Sequence, residues 1–105
     1  MDDFKIIYRI LKYLCESMDY DEFDSEGFTA ARFGTNDNRF RALLVQLQES
    51  GYIAGLNIKR YVRQPDYIHS PMSPRITLKG MEYLQENGMM KKAANIAKGI
   101  VDIIV

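Results

Sequence analysis

The sequence has few of the residues on which catalysis, disulfide bonding and metal binding most often depend. Among 105 residues there is one cysteine, Cys15, one histidine, His69, and no tryptophan. One cysteine cannot form an intramolecular disulfide, and one cysteine with one histidine cannot complete the ligand set of a structural zinc ion. Glycine-rich loops of the GxxxxGKS/T and GxGxxG types, which hold nucleotide phosphates, are also absent. We therefore predict a protein that is not an enzyme and that takes no cofactor, metal or small-molecule substrate.

Three features that suggest chemistry have simpler explanations. Cys15 lies at the apolar edge of the first predicted helix, where a small buried residue is usual, and His69 lies on a predicted hairpin, where a solvated ring is expected. The acidic run from Asp19 to Gly27 suggests a calcium loop, but Ala30 stands where a bidentate glutamate belongs. We interpret the run as a solvated turn.

Long apolar runs are missing as well. No stretch reaches the roughly 18 apolar residues that a membrane span requires, and the first five residues carry acid where a secretory signal carries base. We therefore expect a cytoplasmic protein without a membrane span. The composition, 47% hydrophobic and 27% charged, is that of an ordinary globular protein, and the length leaves room for one domain.

Although the formal net charge is zero, the charges are distributed unevenly. Residues 1–31 hold eight acidic and three basic residues, whereas residues 32–79 hold three acidic and eight basic residues. A neutral chain with this distribution can still present a basic surface to a nucleic acid.

Apolar residues recur every three or four positions in several segments, which predicts amphipathic helices. The first helix spans Asp2 to Met18, and a short second one spans roughly Glu26–Phe33, with Ser25 as its cap and Gly34 at its end. The third follows Thr35 or Asn36 and stops at Gly51. The side chains expected to point inward are Phe4, Ile7, Leu11, Leu14 and Met18 in the first helix, Phe28, Ala31 and Phe33 in the second, and Phe40, Leu43, Leu44 and Leu47 in the third.

After Gly51 the pattern alternates over residues 56–63, which predicts a strand. A turn at residues 64–66 and a return strand at residues 67–69 complete a hairpin. Thr77 then caps a fourth helix, with Leu78, Met81 and Leu84 inward, that ends at Asn87-Gly88. A last helix should span Met89–Val105.

This order of elements is that of a helix-turn-helix followed by a wing. The predicted fold class is mainly α with a small β-hairpin, a winged helix-turn-helix plus C-terminal helices. We expect residues 1–88 to form the winged helix domain and residues 89–105 to add a C-terminal helix to the same domain as its dimerisation element. The alternative is a four-helix bundle that carries a hairpin.

Two segments carry a family resemblance. Residues 49–56, ESGYIAGL, and residues 76–88, ITLKGMEYLQENG, resemble the YjcQ family of small bacterial and phage-associated proteins. The resemblance implies a winged-helix-like fold and an origin in a Gram-positive bacterium or its prophage. It implies no established activity. The wing of this chain looks longer than is usual, through residues 59–63.

The third helix and the wing together predict contact with double-stranded DNA. Amide side chains can pair with adenine edges and arginine with guanine, while basic residues on the wing can hold phosphate. The candidate residues are Asn36, Asn38, Arg39, Arg41, Ala42 and Gln46 on the helix and Lys59, Arg60 and Arg63 on the wing. We predict a bacterial or prophage transcriptional regulator. The alternative is a winged-helix adaptor of phage origin that binds protein and not DNA.

The last predicted helix has a wide apolar face. Residues 101, 103 and 105 broaden it beyond what one small core requires, so we expect a homodimer. The predicted dimerisation residues are Ile96, Ile100, Ile103 and Ile104. The alternative is a helix packed on its own domain.

Overall fold

The computed structural model describes residues 3–97, with side chains as far as Gly88. Within this range the chain forms three α-helices, one 3₁₀ helix and two antiparallel strand pairs. The elements are α1 (Asp3–Ser17), the 3₁₀ helix (Ala31–Phe33), α2 (Asp37–Glu49), β1 (Ile53–Ala54), β2 (Ile58–Lys59), β3 (Tyr67–Ile68), β4 (Arg75–Ile76) and α3 (Leu78–Ala97). This architecture is mainly α with a small hairpin and is consistent with a winged-helix-like fold, so the predicted fold class is confirmed.

Helix α1 supplies a large share of the core, on a face rotated from the predicted one. The buried side chains are those of Ile6, Ile10, Leu11 and Leu14. Phe4 and Met18, both expected to point inward, are exposed, and Ile7 is partly buried. Two apolar stripes overlap on this helix, because isoleucine stands at positions 6, 7 and 10, and periodicity alone does not decide which stripe meets the core.

The segment between α1 and α2 is organised by aromatic rings and not by the predicted second helix. Phe28 is buried, and its ring centroid lies 5.2–5.7 Å from those of four neighbouring rings. These neighbours are Tyr13, Phe23, Phe33 and Phe40. The predicted helix over residues 26–33 is wrong except for its last three residues.

Local hydrogen bonding explains this difference. Asp24 Oδ1 accepts a hydrogen bond from the Gly27 amide at 3.1 Å, which favours a turn in place of a helix capped by Ser25. Ala31 is exposed and Phe33 buried, so one of these two inward assignments fails and the other holds. Gly34 closes the 3₁₀ helix with a φ of 78°, as expected.

Helix α2 forms as predicted and is tied to the chain that follows it. Asn36 caps it, since its Oδ1 accepts a hydrogen bond from the Arg39 amide at 2.8 Å. At the other end, Gln48 Nε2 donates to the Leu56 carbonyl at 2.9 Å, and the Leu56 amide donates to Gln48 Oε1 at 2.8 Å. The Gln48 side chain thus satisfies both the amide and the carbonyl of Leu56, which lies outside the strands.

The strands form two separate pairs. In the hairpin, Ile58 lies opposite Ile68 and Lys59 opposite Tyr67. The predicted strand was too long, because residues 60–66 form the connecting loop and Val62 is 101% exposed, with no neighbour to hold it in a ladder. The second pair, in which Ile53 lies opposite Ile76, was not predicted, since two-residue strands carry no readable alternation.

Helix α3 begins where Thr77 joins it to the end of α2. The Thr77 hydroxyl donates to the Gly51 carbonyl at 2.6 Å and accepts from the Gly80 amide at 3.1 Å, which confirms Thr77 as the cap. Leu78 was expected to point inward but is 77% exposed. Met81 and Leu84 do pack against the core.

The predicted break at Asn87-Gly88 is also wrong, because α3 continues to Ala97. The Asn87 side chain donates to the Tyr83 carbonyl one turn earlier at 2.8 Å and therefore lies within the helix. The side chains proposed for dimerisation, those of Ile96, Ile100, Ile103 and Ile104, lie outside the described part of the chain. Along the described residues no helix is both long and apolar enough to cross a membrane.

Two glycines of α3 should respond oppositely to alanine. A Cβ at Gly80 would overlap the Tyr52 carbonyl oxygen and the Ile76 side chain, whereas one at Gly88 meets nothing within 4 Å. We expect Gly80→Ala to destabilise the fold by about 1–3 kcal/mol, as overpacking does. Gly88→Ala should stabilise it by roughly 1 kcal/mol through helix propensity. Urea denaturation measures both. Destabilisation by Gly88→Ala would contradict the continuous helix, because a glycine in the left-handed conformation at a helix end resists alanine.

Candidate nucleic-acid interface

The outer face of α2 is open to solvent. Asn38, Ala42 and Gln46 are exposed at four-residue intervals along it, while Phe40, Leu44 and Leu47 on the inner side are buried. Such a face presents two amides on either side of a small residue, which allows a base pair to approach the helix closely. The predicted orientation of α2 is therefore confirmed, while its contact with DNA stays a prediction.

The first turn of α2 is joined to the beginning of α1. Arg39 Nε donates to Asp3 Oδ1 at 2.9 Å, and Arg39 Nη2 contacts the other carboxylate oxygen, which makes a two-pronged ion pair. The hydrogen bond from Arg39 holds the pKa of Asp3 below its ordinary value, and the same contact raises the pKa of Arg39. The Arg39 side chain is 52% exposed, so it is accessible but already neutralised.

Two further predicted residues of α2 bind each other. Arg41 Nη2 donates to Asn38 Oδ1 at 2.8 Å. The acceptor oxygen of Asn38 is thereby used, and its amide nitrogen is left to meet a ligand. The side-chain oxygen of Asn36 is likewise occupied, because it accepts the capping hydrogen bond from the Arg39 amide.

The hairpin brings Arg60 to the end of α2 opposite Arg39. Arg60 pairs with Glu49 in the last turn of the helix. Its Nη1 atom also lies 3.9 Å from Asp66 Oδ2 in the same loop. The hydrogen bond to Glu49 is the main cause that raises the pKa of Arg60. Lys59 and Arg63 are exposed and have no ion-pair partner among the side chains of residues 3–88. They are the free cations of the hairpin.

The candidate residues of α2 thus lie along one exposed side of the helix, with an ion pair at each end of it. From Arg39 to Glu49 the helix rises about 15 Å at 1.5 Å per residue. Between the two ends lie Ala42 and Gln46, which make no ion pair or side-chain hydrogen bond to another described residue. This surface can accept phosphates at its ends and base edges at its centre.

The sequence reasoning missed the acidic partners of the two arginines. Asp3 lies 36 positions from Arg39, and Glu49 lies 11 positions from Arg60. Pairs at these separations leave no local signal in the sequence. The apolar tip of the hairpin, where Tyr61, Val62 and Tyr67 are exposed, was also not predicted from the sequence. No group of three residues able to hold a metal ion occurs in the part of the chain that the structure describes.

Comparison with known proteins agrees with the resemblance noted in the sequence. The family model described as YjcQ protein matches residues 8–103. The chain is similar to the solution NMR structure of the YjcQ protein from Bacillus subtilis, at 27% sequence identity and a TM-score of 0.53. That match covers 80% of this chain and 94% of the other. No curated protein matches.

The ion pair between α1 and α2 should be visible in a carboxyl titration. Replacing Arg39 by Gln removes the charged donor, so the pKa of Asp3 should rise towards its ordinary value. Carboxyl-carbon NMR of the labelled protein measures the midpoint. Arg41→Gln is the matched control, because Arg41 contacts Asn38 and should leave Asp3 unchanged. Equal Asp3 midpoints in the original protein and in Arg39→Gln would refute the pair.

Proposed function

This chain belongs to the YjcQ family, and we propose that it is a non-enzymatic DNA-binding protein of the winged-helix type. In this proposal the outer face of α2 enters the major groove and the β2–β3 hairpin contacts the phosphates beside it. The observation that carries the proposal is the exposed face of Ala42 and Gln46 on α2, whose last turn is joined through Glu49 and Arg60 to a hairpin that holds two unpaired cations, Lys59 and Arg63. We place this activity in bacterial or prophage transcriptional regulation, where modules of this type are common.

Each part of the surface has a distinct task. The Gln46 amide can both donate to and accept from an adenine edge, and the Ala42 methyl group can touch a thymine methyl group. Lys59 and Arg63 neutralise phosphates without reading sequence, which supplies affinity and registers the protein on the duplex. Asn38 contributes the nitrogen of its amide, since its oxygen accepts from Arg41.

Arg39 and Arg60 can join the contact by exchanging partners. Both are more than half exposed, and exposed ion pairs contribute little to stability, so a phosphate can replace the carboxylate. The released carboxylates of Asp3 and Glu49 then lie close to the DNA and repel it. The proposal therefore implies moderate affinity with a strong dependence on salt.

A protein-binding adaptor is the second candidate, and one observation favours it. Tyr61, Val62 and Tyr67 give the hairpin an exposed apolar tip, and tyrosine is common at the centre of protein interfaces. Phosphate contact does not need such a tip. An adaptor that lacks DNA affinity would bind no duplex even at low salt.

The free cations of the hairpin provide the first test. In Lys59→Gln/Arg63→Gln, Arg60 still anchors the loop, so the fold should persist while two phosphate contacts disappear. The slope of log affinity against log salt for a random 20-base-pair duplex should fall in magnitude by about 2. Fluorescence anisotropy at several potassium chloride concentrations measures it.

Two variants make this test specific. Arg75→Gln removes a positive charge outside the proposed contact and should leave the slope unchanged. Glu49→Gln frees Arg60 and removes a repulsive carboxylate, so it should tighten binding. An undiminished slope in the hairpin variant, or no binding by the original protein at low salt, would contradict the proposal.

Base reading by α2 is a separate prediction. On a site selected from a random library, Gln46→Ala should cost about 1–3 kcal/mol, with a smaller loss on random DNA. Gln85→Ala, which shortens an exposed glutamine of α3, is the control and should change neither affinity. Equal losses on both DNAs would mean that Gln46 does not read a base.

A further inference from the structure

A second basic surface lies on α1, in the segment whose overall charge is acidic. Lys5, Arg9 and Lys12 are the three basic residues of the first 31, and all of them are exposed at positions i, i+4 and i+7. This spacing places them on one face of the helix. The excess of acid in this part of the sequence concealed them.

Part of this surface forms a cleft with the 3₁₀ helix. The cleft has a volume of about 230 Å³, and Arg9, Lys12 and Arg32 supply three positive charges to its walls. Tyr13, Phe33 and one acid, Glu16, complete the lining. None of the three cations forms an ion pair with a side chain in the described range 3–88. Like charges held around one concavity raise the local positive potential, which an anion relieves.

The walls of the cleft are held in place before any ligand binds. The Arg32 guanidinium lies over the Tyr13 ring, 5.0 Å from its centroid, and the Arg32 amide donates to Thr29 Oγ1 at 3.3 Å. The Tyr13 hydroxyl donates to the Asp24 carbonyl at 2.9 Å, which fixes the ring. Phe33 is buried beside them. Arg32, one of the three basic residues, is thus positioned in advance, which reduces the entropy lost on binding.

We propose that this cleft binds a phosphate group, with Arg9, Lys12 and Arg32 as its donors. Guanidinium groups match the oxygens of phosphate two at a time, and lysine adds a point charge. The cleft is small and open to solvent, which suits a phosphate with a small attached group. Acidic residues, Glu22 and Asp24, line the neighbouring depression beyond Arg32, so the anion sits on the side of Arg9 and Lys12.

Titration with sodium phosphate at pH 7.5 and constant ionic strength tests the site. In ¹⁵N-labelled protein the side-chain Nε–Hε signals of Arg9 and Arg32 should shift and saturate, whereas sodium chloride should not move them. Arg9→Gln/Arg32→Gln should weaken the affinity for phosphate by about tenfold or more, because each lost donor is charged. Lys59→Gln/Arg63→Gln should leave it unchanged, so the result is independent of the DNA-binding proposal.

Two further arms identify the source of the phosphate. If it is a small phosphate monoester, adenosine monophosphate shifts these arginine signals and a 20-base-pair duplex does not; if it is a nucleic-acid backbone, the duplex shifts them. Either result supports the site. Arg9→Lys/Arg32→Lys keeps the charge and should therefore retain more affinity for phosphate than Arg9→Gln/Arg32→Gln. This difference would show that lost charge, and not misfolding, weakens binding in the Gln variant. Arginine signals that shift linearly with phosphate concentration and equally with chloride would overturn the proposal. Unchanged phosphate affinity in a folded Arg9→Gln/Arg32→Gln variant would also overturn it.

Discussion

The structure depends most on the close approach of the α3 backbone to the turn after α2. Gly51, with a φ of 84°, reverses the chain, and Thr77 joins its carbonyl to the amide of Gly80. Only glycine fits at position 80, because a side chain there would overlap the Tyr52 carbonyl. This junction sets the distance between α2 and α3, allows β1 to pair with β4, and fixes where the hairpin leaves the body of the domain. The proposed DNA surface is therefore positioned by contacts that lie outside it.

Two of the positive charges on the proposed DNA surface are neutralised by carboxylates that the sequence alone did not indicate as partners. Arg39 and Arg60, at the two ends of α2, are each matched by a carboxylate from another part of the fold. These pairs tie α2 to α1 and to the hairpin, and their exposure leaves them open to exchange with phosphate. In the proposed complex, Lys59 and Arg63 supply most of the affinity for DNA. Arg39 and Arg60 add to it when they exchange a carboxylate for a phosphate. Repulsion between the displaced carboxylates and the DNA limits the total. The unpaired cations of α1 form a second basic surface.

Local signals in the sequence predicted the features that depend on neighbouring residues. The cap at Asn36, the inward face of α2, the reversal at Gly51 and the cap at Thr77 are all fixed within a few positions of the chain. Long-range contacts were missed for the opposite reason. Asp3 with Arg39 and Ile53 with Ile76 are paired across the fold, and nothing near either residue indicates its partner. The face of α1 and the exposure of Leu78 depend on what packs against each helix, which periodicity does not contain.

The central claim, that α2 and the hairpin form one DNA surface, is tested most directly by mapping the contact. Amide signals of ¹⁵N-labelled protein are followed while a random-sequence duplex is added at low salt. The account predicts that the signals of Ala42, Gln46, Lys59 and Arg63 shift together and that the signal of the exposed Gln85 on α3 does not. Binding without shifts on α2 and the hairpin, or no binding at all, would contradict it.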